Sequence, residues 1–237
     1  MCRWLVNMLS RRASARYVAL QGRVHPNRYP PGSLRLRRMG KAWVKARKHD
    51  RFYRAAKRQD YRSRAAIKLS QIDRRYGIFR EGDVVVDLGA APGGWSQIAR
   101  ERIGRTGRVI AVDLVRIAPL EGVDVVRGDF ADPDVQGRLF ELLRRPADVV
   151  MSDMAPRLSG NRALDVARSL DLADAALSFA VRALRPGGAF LSKVFQGDGY
   201  PAFLRRVEAH FEGVKGVKPS ASSARSAELY VLGVGRA

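Results

Sequence analysis

Residues 83–95, DVVVDLGAAPGGW, set the terms for any fold of this chain. Val84–Val86 and Leu88 form a short β-branched run suited to a strand buried on both faces. The glycines and proline that follow end it abruptly in a turn. The same design recurs downstream. GRVIAVDL and VDVVRGDF read as two further strands that finish on an acid, ADVVMSDMAP as a fourth, AFLSKVF as a fifth and ELYVLGVG as a terminal one. Helical patterns separate them. Ala65, Leu69, Ile72 and Tyr76 form one stripe, with Ser63 as the expected N-cap. Ala163, Val166, Leu170, Ala173, Leu177, Val181 and Leu184 form another, stopped by RPGG, and a helix is expected around residues 201–211. Apolar strands alternating with helices imply an α/β fold: a mostly parallel sheet with helices on both faces.

In such a sheet, ligands bind beyond the carboxyl ends of the strands, near the point where strand order reverses. Asp87, Asp113, Asp129 and Asp153 are all expected there, which points to one shared pocket. The loop GAAPGG has neither the G-x-G-x-x-G spacing of a pyrophosphate-binding turn nor the lysine of a P-loop. Asp113 nevertheless follows at roughly the distance expected of an acid that holds ribose hydroxyls. A nucleoside without a phosphate cradle is therefore implied, and S-adenosylmethionine fits; an NAD-type cofactor is the rival. Gly93 would let the backbone approach the ligand, Asp129 could accept from the adenine amino group, and Asp153 could face the cationic methionine end.

Lys193 is out of place in AFLSKVF, between apolar neighbours, because burying an ammonium is costly unless it is paired. Charge is the other strong signal. The chain carries 44 Lys+Arg against 23 Asp+Glu, a net +21, and residues 1–60 supply 17 of those cations against only Asp50 and Asp60. That density suits a polyanion, most often nucleic acid. Residues 1–38, rich in Pro and Arg, are expected to be an extension, either disordered or itself RNA-binding. Residues 39–60 interleave Arg and Lys with Trp43, Phe52 and Tyr53 and are expected to be a helical RNA-contacting segment, ahead of a catalytic domain over 61–237. Cys2 is the sole cysteine, which favours a reducing, cytoplasmic setting. His25, His49 and His210 show no metal-ligand spacing, and no apolar run nears the roughly 18–20 residues of a membrane span.

Taken together, RSRAAIKL, VDLGAAPGGWSQ, GDF, SDMAP, KVFQG and RSAELY, in this order, resemble the FtsJ/RrmJ (RlmE) family of S-adenosylmethionine-dependent RNA 2′-O-ribose methyltransferases. The resemblance covers about residues 50–236. It implies a Rossmann-like class I methyltransferase fold with about seven strands, and a Lys-Asp-Lys-Glu tetrad that falls on Lys68, Asp153, Lys193 and Glu228. It also implies that Gly93, Trp95, Asp113, Asp129 and Asp153 line the cofactor site. Ala227 stands where a basic residue is expected, a departure that bears on RNA contact rather than chemistry. The implied reaction is methylation of a ribose 2′-hydroxyl, in a uridine of large-subunit ribosomal RNA or, alternatively, in tRNA. Lys193 would either accept the hydroxyl proton as a neutral base or orient the oxygen as a cation. The chain is expected to work as a monomer on RNA, away from membranes. Two readings compete: a non-catalytic RNA-binding protein with the same fold, and a small-molecule methyltransferase.

Overall fold

The structure is a computed structural model that describes Ala56 and residues 60–237, apart from residues 224 and 225. The expectations for residues 1–38, and nearly all of those for 39–60, fall outside the described residues. Ala56 itself is buried and packs with Ile67 and Ala221.

The chain runs α1 (Ala65–Tyr76), β1 (Val84–Leu88), α2 (Gly94–Ile103), β2 (Arg108–Asp113), β3 (Val123–Arg127), α3 (Pro133–Leu142), β4 (Ala147–Ser152), α4 (Arg162–Ala183), β5 (Leu184–Phe195), α5 (Tyr200–Glu208), β6 (Phe211–Val217) and β7 (Glu228–Arg236). The seven strands form one sheet in the order β3-β2-β1-β4-β5-β7-β6. Among the described strands β7 is the reversed one, antiparallel to β5 and β6, while the other pairings are parallel. This is the expected α/β class with its mostly parallel sheet.

Strand alternation explains how both faces are covered. In β1, Val84, Val86 and Leu88 join a core with α3, α4 and α5, while Val85 points the other way, into a core with α1 and α2. Phe190 and Val194 of β5 face the first layer; Leu191 faces the second, with Tyr230 of β7. By the same period, Asp87, Asp153, Lys193 and Glu228 belong to the α1/α2 face.

Three local expectations need correction. Ser63 does not cap α1: Arg64 occupies the N-cap position and makes no capping hydrogen bond to the helix, and Ser63 Oγ lies instead against Gly94 at the start of α2. The helix α4 does stop ahead of RPGG, but the fifth strand, expected over AFLSKVF, begins earlier, at Leu184, and takes in RPGG across a break in register with β4. The strand β6 was absent from the sequence reading. Its residues, FEGVKGV, carry two glycines and little alternation, and tertiary pairing with β7 decides their conformation. No helix among the described residues is long and apolar enough to cross a membrane.

Candidate active site

The order of strands reverses at β1, which pairs with β2 on one side and β4 on the other. Crossovers leave β1 and β4 in opposite directions, so a crevice opens beyond their carboxyl ends. A cavity of about 260 Å³ lies there, with Gly89, Asp113, Leu114, Phe130, Asp153 and Met154 among its lining. Its floor depends on Gly89: φ is +74°, and a Cβ there would collide with the Met154 side chain. Asp113 braces the walls, as its two oxygens accept the Ala91 N–H at 2.9 Å and the Val115 N–H at 2.8 Å. Arg62 clamps the loop after β2 by donating to the Ala118 carbonyl at 2.6 Å and the Pro119 carbonyl at 2.7 Å. Arg62 stands in the RSRAAIKL motif, but no role for it was read from the sequence.

This lining fits a cationic nucleoside. Two carboxylates serve hydroxyls or positive charge, and Val112, Leu114 and Phe130 offer an apolar slot to a heterocycle. None of the described residues lining the cavity is basic, so a phosphate-bearing dinucleotide has no counter-charge there. Asp129 sits between the lining residues Gly128 and Phe130, and its carboxylate accepts the Ala131 N–H at 2.9 Å. Burial pushes the Asp129 carboxyl above its ordinary range, against that hydrogen bond. Gly93 is the N-cap of α2, with φ of +103° and Arg62 and Ile117 close to where a Cβ would stand. Trp95 is turned into the core. Its indole N–H donates to the Ala65 carbonyl at 3.0 Å, and its ring lies 5.7 Å from that of Tyr230. Neither Gly93 nor Trp95 is among the residues lining the cavity; what α2 can offer toward it is backbone N–H at the helix start.

Lys193, Asp153, Lys68 and Glu228 converge beside this cavity as two ion pairs. Lys193 Nζ donates to the Asp153 carbonyl and lies 3.1 Å from Asp153 Oδ1. Lys68, reaching down from α1, pairs with Glu228 Oε1, which also accepts from Ser222 Oγ at 3.0 Å. Both lysines are buried, so the charge that looked misplaced in β5 is paired at its carboxyl end. Tyr230 joins the pairs. Fully buried and opposite Lys193 in the β5–β7 register, its hydroxyl is 3.1 Å from Asp153 Oδ1 and 3.4 Å from Glu228 Oε1. Burial, then the charges of Asp153 and Glu228, raise the Tyr230 phenol well above its ordinary value, so it stays a neutral donor. Sequence reasoning quoted Tyr230 within RSAELY without giving it a role.

Beyond Met154, the rim of the crevice is held by Asp165 of α4, which accepts both the N–H and the Oγ–H of Ser159, at 2.8 and 2.7 Å. Arg157, Leu158 and Arg162 are exposed on this pinned segment.

With this geometry in hand, comparisons with known proteins point one way. The family described as FtsJ-like methyltransferase matches residues 61–236. The chain is 46% identical over 204 residues to a ribosomal RNA large subunit methyltransferase E from Nitrosospira multiformis, covering 86% of this chain and 99% of that protein. It is 50% identical over 190 residues to one from Methanocella arvoryzae, covering 80% and 73%. Among solved structures, it is similar to a crystal structure from Plasmodium falciparum described as a ribosomal RNA methyltransferase. The TM-score is 0.67 and the identity 25%, over 74% of this chain and 98% of that one.

Proposed function

Because the chain belongs to the FtsJ-like methyltransferase family, we propose that it methylates a ribose 2′-hydroxyl, on a uridine of large-subunit ribosomal RNA, using S-adenosylmethionine. The observation that carries this reading is the position of Lys193: its Nζ is fastened to Asp153, which also lines the cavity. When bound, the cofactor supplies a methyl group on a sulfonium centre. Asp113 would hold the cofactor's ribose hydroxyls, Asp129 its adenine amino group, and Asp153 would face its cationic end. Gly93 and Trp95 would contribute backbone at the start of α2.

Transfer to a hydroxyl needs an oxygen lone pair aligned with the bond being broken, and positioning supplies much of the acceleration. An ammonium has three protons. Lys193 donates one to the Asp153 carbonyl and is paired with the Asp153 carboxylate, and a remaining proton can hold the 2′-oxygen so that a lone pair faces the methyl group. The hydroxyl proton then leaves to water as the new C–O bond forms. Lys68, Glu228 and Tyr230 keep Asp153 and Lys193 in register through their shared hydrogen bonds. Arg157 and Arg162 on the rim suit phosphates, and the exposed Leu158 between them suits an unstacked base.

Lys193→Ala separates binding from chemistry. Titration calorimetry should give S-adenosylmethionine affinity within about threefold of the parent, while labelled methyl transfer to RNA falls by at least about a hundredfold. Retained turnover in that variant would remove Lys193 from the reaction.

A further inference from the structure

Three carboxyl groups interact at the cavity, Asp113 and Asp153 in its lining and Asp87 outside it, and the first two have their charge met. Asp153 holds Lys193, and Asp113 accepts two backbone N–H groups. Asp87 is different. It is fully buried in β1; Oδ2 accepts from Ser96 Oγ at 2.6 Å, the Ser96 backbone N–H adds a weaker interaction with the carboxyl, and Oδ1 is enclosed without a hydrogen-bond partner among the described residues. A carboxylate so placed has lost its water and gained only the neutral donors of one residue. Among the described residues, the charges that act on it most are negative: Asp113 faces it from the end of β2 and Asp153 from the end of β4, while α2 supplies the neutral Ser96. Lys193 on β5 is itself engaged by Asp153.

Resting on the reading that the cavity takes S-adenosylmethionine, we propose that Asp87 is a further cofactor-positioning residue. In the free protein at mildly acidic pH it holds its proton, and it ionises as the ligand's positive groups arrive, releasing that proton to solvent and becoming their buried counter-charge. Burial raises the Asp87 pKa to about 7, against the Ser96 hydrogen bond and with help from the charges of Asp153 and Asp113. A sulfonium and an ammonium entering this low-dielectric cluster favour the ionised form and lower that value. The sign follows: below pH 7 binding must expel a proton, so affinity falls as pH drops, by up to about tenfold per unit, and is flat above.

The test is titration calorimetry of the full chain with S-adenosylmethionine at pH 6.5, in buffers of different ionisation enthalpy. The expected buffer dependence corresponds to release of a large fraction of one proton, falling away as the pH is raised to 8. S-adenosylhomocysteine, which lacks the sulfonium charge, should release less. Asp87→Asn should bind without buffer dependence, and its free form should melt higher than the parent at pH 8 but not at pH 5, where the parent carboxyl is already neutral. Ser96→Ala keeps the carboxyl, removes its donor and should move proton release to higher pH; it serves if the first variant does not fold. Binding without proton release, or release unchanged in Asp87→Asn, overturns the proposal. No binding of either ligand would overturn the cofactor reading itself.

Discussion

Glu228 illustrates how single charges are tuned at this site. Burial alone would raise its carboxyl, but the hydrogen bond and charge of Lys68, followed by the charge of Lys193, hold it below the ordinary carboxylate range. A depressed folded-state pKa contributes stability that is complete above the unfolded value and is lost as pH falls through the folded one. Glu228→Gln should therefore cost about 3 kcal/mol at pH 7, because Lys68 is left buried without its partner. The difference should shrink below about pH 4, and urea unfolding across pH would check it. A penalty independent of pH would contradict the pairing. The tetrad was legible in the sequence because each member sits in a distinctive motif. Tyr230 was not: a tyrosine in a terminal strand usually signals core packing, and only the β5–β7 register sets its hydroxyl between two acids. Trp95 carried the reverse ambiguity, as its indole joins the core beneath α1.

At the scale of elements, hydrophobic period was enough to place six of the seven described strands but only α1, α4 and α5 of the five helices, because doubly buried strands leave little freedom in composition. The sequence failed where conformation depends on neighbours. β6 is an edge strand with two glycines, and Ser63 gives its side chain to the start of α2 rather than to its own helix. The turn from β1 into α2 is the element on which the cavity depends most. Gly89→Ala combines an unfavourable left-handed φ with a collision against Met154. It should weaken S-adenosylmethionine binding at least about tenfold and lower Tm by several degrees. Unchanged binding by calorimetry would mean that the turn does not shape the cofactor site.

Over the whole molecule, charge and fold divide the work. The sheet builds an acidic, apolar crevice that suits a cationic nucleoside, whereas the chain around it carries a net +21, of which residues 1–60 hold +15. Such an excess favours a polyanionic substrate and strong dependence on salt. It cannot name the nucleotide, since composition carries no base readout and the most basic segment lies outside the described residues. The decisive measurement is transfer of labelled methyl from S-adenosylmethionine to ribosomal particles and total RNA, with nuclease digestion to locate the label. It should appear in a single 2′-O-methylated uridine of large-subunit ribosomal RNA. Label confined to base-methylated nucleotides, or to tRNA, would contradict the assignment.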